Sequence, residues 1–140
     1  MMINSAEEFV RLRLSDNMEE YLKAAWDVAP FEVWLQVIET YPEMREWVAH
    51  NKSIPVEIME ILADDADERV RFIVATKNRL PESLQMKLAK DLDSSVRKRI
   101  VYNKKATFRV LTILLNDDDE DIRVVAKNRV DEGLMKNGKY

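Results

Sequence analysis

The sequence predicts an all-α protein, a stack of short helical hairpins each written in 26 residues, preceded by an N-terminal helical cap. Three observations carry that expectation. The first is a repeat in phase: Pro55, Pro81 and Thr107; Leu62, Leu88 and Leu114; Asp65, Asp91 and Asp117; Asp67, Asp93 and Asp119 recur at one step. The pairs Val70-Arg71, Val96-Arg97 and Ile122-Arg123 keep the same register, and such self-similarity marks a repeat array. The second is apolar spacing of three and four, which puts Ile58, Ile61 and Leu62, then Leu84 and Leu88, then Val110, Ile113 and Leu114 on one face of a first helix. The third is an aspartate before each second apolar run, at 67, 93 and 119, where its carboxylate can accept the free amide hydrogens of a helix start.

Taken in order, residues 1–28 form the cap. Ser5-Ala6-Glu7-Glu8 and Asp16-Asn17-Met18-Glu19 have the shape of capping boxes ahead of two helices. Residues 29–54 read as a divergent first repeat, in which Pro30 opens a run with Val33, Trp34, Val37 and Ile38, Pro42 starts the second helix, and Met44-Arg45 falls in register with Val70-Arg71. Full repeats follow at 55–80, 81–106 and 107–130, with proline at 55 and 81 placed in the first helical turn. Helices of about nine residues are unstable alone, so each depends on its neighbours for burial. Residues 131–140, with Gly133 and Gly138, read as a frayed tail. The period also falls in the range of leucine-rich repeats, but the alternating leucines of a strand are missing. Seven of the eleven aromatics lie between Phe9 and Trp47; they read as bulky side chains sealing one end of a stack, with an aromatic pocket as the alternative.

Composition narrows the chemistry. The chain has no cysteine and a single histidine, His50, which removes disulfides, thiolate metal sites and cysteine nucleophiles and leaves little for imidazole chemistry. No apolar run reaches the roughly 18 residues of a membrane span, and the acidic start does not resemble a signal peptide, so a cytoplasmic protein is expected. The net charge of −4 opposes a polyanion at long range.

The units Ile54-Pro55-Val56-Glu57-Ile58 through Asp65-Ala66-Asp67-Glu68-Arg69-Val70-Arg71, and their echoes from Leu80-Pro81-Glu82 to Ser95-Val96-Arg97, resemble the leucine-rich repeat variant and HEAT-like repeats of bacteria. The resemblance spans about residues 29 to 130. It implies a right-handed α-solenoid and, for function, an interaction scaffold. Some relatives of that kind carry a cysteine-bound iron–sulfur cluster, which a chain without cysteine cannot hold. Others are DNA glycosylases, but they need a longer array, and no catalytic motif matches here.

No catalytic, cofactor or metal residues are expected. Asp117 to Asp121 begins like a calcium loop, but Ile122 and Asn128 stand where glycine and glutamate are needed. Asn51-Lys52-Ser53 matches a glycosylation sequon by chance. Arg45, Arg71, Arg97 and Arg123 are read as a structural ladder with Asp67, Asp93 and Asp119, linking turns within and between repeats rather than meeting a ligand. Acids crowd the turns inside each hairpin, whereas Lys52, Lys77, Arg79, Lys104, Lys105 and Arg129 sit in the turns between hairpins. One acidic and one basic edge are thus expected. They can orient a charged partner, although helix ends alone favour the same signs.

Two functions follow. A protein-binding scaffold uses outward positions of the second helices, in register as Glu46, Phe72, Lys98 and Val124, and as His50, Thr76, Tyr102 and Asn128; His50, Phe72, Lys98 and Tyr102 are the chosen contacts. The alternative is a nucleic-acid binder on the basic edge, Lys77, Arg79, Lys104 and Lys105, with Arg97, Lys98 and Arg99. The expectation is another protein as partner, no membrane, no enzyme activity and a monomer.

Overall fold

A computed structural model describes residues 2–136. Among them are ten α-helices, a short 3-10 turn and no strand, the only extended pairing being a lone bridge between Met2 and Val28. No described helix is long and apolar enough to cross a membrane. The chain divides into two compact units between Val74 and Ala75.

The first unit holds α1 (Ala6–Arg13), α2 (Met18–Trp26), α3 (Phe31–Thr40), the 3-10 turn Pro42–Met44, α4 (Arg45–His50), α5 (Val56–Leu62) and nearly all of α6 (Glu68–Ala75). Ser5 caps α1 by accepting the Glu8 amide hydrogen at 3.0 Å, and the Glu8 carboxylate accepts from the Asn4 amide at 3.2 Å. The second cap lies one residue later than expected. Asn17 accepts from the Glu20 amide at 3.2 Å, leaving Asp16 outside the helix. Phe9 and Trp34 are wholly buried and meet edge to face, with ring centres 5.2 Å apart. Val37, Val48, Ile54, Ile58 and Leu62 complete this core.

The second unit holds α7 (Glu82–Leu88), α8 (Ser94–Tyr102), α9 (Phe108–Leu114) and α10 (Glu120–Lys136). Its core is built from Leu84, Leu88, Val96, Ile100, Val110, Leu114, Ile122 and Ala126, all at the expected helical spacing and all buried. The prolines stand one position earlier than expected. Pro55 and Pro81 are N-caps with extended backbone, and their carbonyls accept the amide hydrogens of the third and fourth helical residues, Ile58 and Met59 or Leu84 and Gln85, at 3.0 to 3.1 Å. Proline suits that position because its fixed φ, −75° and −66° here, lies in the extended range as well as the helical one. Thr107, in the same register, caps α9 through its hydroxyl, which accepts from the Val110 amide at 3.3 Å.

The end of the chain corrects a second expectation. Where a frayed tail from 131 is expected, α10 continues to Lys136, supported by an ion pair between Lys127 and Asp131 at 2.8 Å, four residues apart. Gly133 lies inside that helix, where an added Cβ would make ordinary contact with Phe108 at 3.7 Å. Gly138 falls outside the described residues.

Candidate interaction surface

The polar residues that recur in the sequence are engaged chiefly with backbone. In each hairpin turn the first aspartate, Asp65, Asp91 or Asp117, accepts the amide hydrogen two residues on at 2.9 Å. The second caps the following helix: Asp67 accepts from the Arg69 amide at 2.9 Å, Asp93 from Ser95 at 2.8 Å, and Asp119 from Asp121 at 2.8 Å. The arginine six residues after the first aspartate then closes the turn. Arg71, Arg97 and Arg123 each donate Nη1 to the carbonyl of that aspartate at 2.7 Å, and again to the next carbonyl at 3.0 to 3.3 Å. A carbonyl cluster at a tight turn needs such donors, because its oxygens have no helical partner.

Two of these register positions, Arg97 and Arg45, also reach forward, each to the first aspartate of the following turn. Arg97 grips Asp117 with Nε at 2.8 Å and Nη2 at 3.3 Å, and Arg45 lies 3.6 Å from Asp65. Asp67 and Asp119 instead serve their own helix starts. Burial raises the pKa of Asp117, yet the Arg97 hydrogen bond, the Asp119 amide and the positive charges of Arg97 and Arg123 together outweigh it and hold the carboxyl below its ordinary value. The same hydrogen bond raises the Arg97 guanidinium above its own. Asp67 is likewise held low, chiefly by the Arg69 side chain.

A second set of clamps escapes the sequence reading. The buried Asn51 amide donates to the carbonyls of Ala24 and Asp27 at 2.8 and 3.0 Å. Asn103, two repeat steps later, donates to those of Ala75 and Lys77 at 2.8 and 3.1 Å. Arg129, one step further, donates to Val101 and Asn103, both at 2.8 Å. Buried Gln85 links the carbonyls of Leu80 and Lys105 to the Thr107 amide. The register carried a signal for the asparagines, since 51 and 103 are in phase with 129; for Gln85 it carried none.

These clamps change the charged edges. Lys77, expected on the basic edge, stands in the register of Asn51 and Asn103 and is buried. Arg129 is held by two carbonyls and Arg97 by Asp117. Arg79, Lys104 and Lys105 remain exposed. In the second unit, Leu92 stands fully exposed beside an open depression bordered by Lys90, Arg97, Ile113, Asn116 and Asp118.

The outward positions of the second helices are largely exposed, as the period places them. Tyr102 and Val124 are about half exposed on α8 and α10, which pack together. Between these helices Lys98 lies 3.8 Å from Asp121, and Asn128 is exposed. In the first unit Phe72 is partly exposed, Glu46 half-buried, and exposed His50 stacks on Trp47 at 5.3 Å between ring centres. Thr76, in the second unit, is exposed. The N-terminal aromatics divide between two fates. Phe9 and Trp34 are core, whereas Trp47 and Tyr21 both lie against the Arg13 guanidinium, at 3.4 and 4.7 Å from their ring centres, and Trp26 and Phe31 are exposed. Comparison with family models, curated proteins and solved structures gives no match to this chain.

Proposed function

We propose that this chain is an α-solenoid of HEAT-like, leucine-rich-repeat-variant hairpins that serves as a non-enzymatic scaffold for another protein, held on the outward face of its second helices. The observation that carries this reading is a division of labour. Recurrent charged and amide residues are consumed in fixing turns, while large side chains at two outward positions of the second helices, Tyr102 and Val124, are left half in water on two packed helices. Large side chains on rigid elements, unneeded by the core, are what a binding surface requires. A solenoid of these hairpins is supported by the identical turn bonds at Asp65, Asp91 and Asp117. A cytoplasmic location suits a chain without cysteine.

The nucleic-acid reading loses Lys77 to burial and Arg97 and Arg129 to internal clamps, and keeps Arg79, Lys104 and Lys105. The test is affinity capture from the native organism with the wild-type chain and with Tyr102→Ala and Phe72→Ala. Loss of a captured protein at unchanged melting temperature supports the proposal. Capture that survives both substitutions, or duplex DNA binding that falls steeply with salt, overturns it.

A further inference from the structure

The helix α2 buries the wrong side for its sequence. Met18, Leu22 and Trp26 follow one another at helical spacing, yet they are 68%, 45% and 59% exposed, and the only buried residue of the helix is Ala24. At about 100° per residue the three large side chains fall within an arc of about 80°, and Ala24 lies about 160° away from Leu22. The apolar stripe is therefore aimed at solvent. In the outermost layer of a fold a polar outer face is expected, so the stripe requires a covering surface.

The charges beside the stripe select that surface. Glu19 and Lys23 are both exposed and both lie on the flank next to Trp26, the acid one turn before the base. Two copies of a helix packed antiparallel across a two-fold axis bring like flank against like flank, with the order of residues reversed. Glu19 of each copy then faces Lys23 of the other, while Met18 faces Trp26 and Leu22 faces Leu22. The midpoint of the charged pair is Tyr21 and that of the apolar stripe is Leu22, a difference of one residue that offsets the two pairings by about 3 Å along the axis, within the reach of the long Glu19 and Lys23 side chains. One register therefore satisfies both. A flank carrying one charge of each sign is complementary to its own reverse and not to a uniformly charged partner.

We infer that α2 is a homodimer interface, in which a second copy of this chain covers Met18, Leu22 and Trp26 by antiparallel α2–α2 packing. This replaces the monomer expected from the sequence and is independent of the surface on α8 and α10. Sedimentation equilibrium of the full chain tests it. The mass should rise from 16.4 kDa towards twice that value with concentration, with Kd on the order of 10–100 μM for so small a contact. Leu22→Lys and Trp26→Lys should each weaken association by about tenfold or more. Glu19→Lys alone and Lys23→Glu alone should each weaken it as well, by setting like charges opposite one another. An equimolar mixture of those two variants should recover association, because the flank of one chain then carries two bases and that of the other two acids, and the mixed dimer sets each base opposite an acid.

A chain that stays monomeric to millimolar concentration overturns the inference. So does a dimer indifferent to both lysine substitutions in the stripe, or charge variants that mixing fails to rescue. Circular dichroism checks that each variant keeps its helices. Should Leu22→Lys lose them, Met18→Glu and the concentration dependence of the wild-type chain still decide the matter.

Discussion

Replacing Arg97 by methionine separates a structural ladder from a binding site. The guanidinium makes two hydrogen bonds to the Asp117 carboxylate and two to the carbonyls of Asp91 and Leu92. The side chains of the ion pair are only 16% and 5% exposed. Methionine keeps most of the aliphatic packing but leaves Asp117 with the Asp119 amide as its remaining hydrogen-bond donor. Breaking a fully buried pair by removing one partner costs about 3–5 kcal/mol. Partial access of water to Arg97 and the retained amide bond lower the expected loss to about 2–4 kcal/mol. Urea unfolding followed by circular dichroism measures it. A double-mutant cycle with Asp117→Asn isolates the pair from the carbonyl bonds, and a coupling of about 1–2 kcal/mol is expected.

The control is Arg69→Met. Arg69 pairs with Asp67 at a similar 2.9 Å, but the two side chains are 72% and 35% exposed, so water screens the pair and a much smaller loss than at Arg97 is expected there. If Arg97→Met changes stability by no more than the control, the reasoning from burial fails. If it also abolishes partner capture, Arg97 belongs to a binding site after all.

Leu88→Ala removes a buried side chain of α7 and should cost about 2–5 kcal/mol in urea unfolding; a loss under about 0.5 kcal/mol would place Leu88 outside the core. Asn103→Ala strips the donors that hold the Ala75 and Lys77 carbonyls, and about 1–3 kcal/mol is expected because those carbonyls lose a buried partner. The Asp117 carboxyl is held low in the fold, so its contribution is complete above the unfolded value of about 3.9 and is lost as pH falls through the lower folded value. Asp117→Asn should accordingly flatten the fall of the urea midpoint below about pH 4, and parallel slopes for the two proteins would count against the assignment. Tyr102→Ala, on an exposed side chain, should leave the midpoint within about 0.5 kcal/mol of wild type while weakening capture; the opposite pattern makes Tyr102 a packing residue.

The sequence by itself determined the helices and, within the repeats, most of their inward residues, Ile61 at 37% exposure being an exception. Leu62, Leu88 and Leu114 are buried where the three-and-four spacing puts them, and Asp67, Asp93 and Asp119 cap where they stand ahead of an apolar run. These are local matters, fixed within one or two turns of chain by periodicity and by the unpaired amides of a helix start. Tertiary structure decided the partners. A sequence shows that an arginine recurs, but not that Arg97 reaches the first aspartate of the next turn, because a long side chain can satisfy its donors at several equally spaced acceptors. Lys77 looked like surface charge because lysine usually is, and the packing around one register position made it a buried residue instead. The reversal at α2 has the same origin. Its pattern fixes an apolar stripe, but which side of an amphipathic helix meets the core depends on where its neighbours lie, and here they lie against Ala24 and leave Met18, Leu22 and Trp26 uncovered.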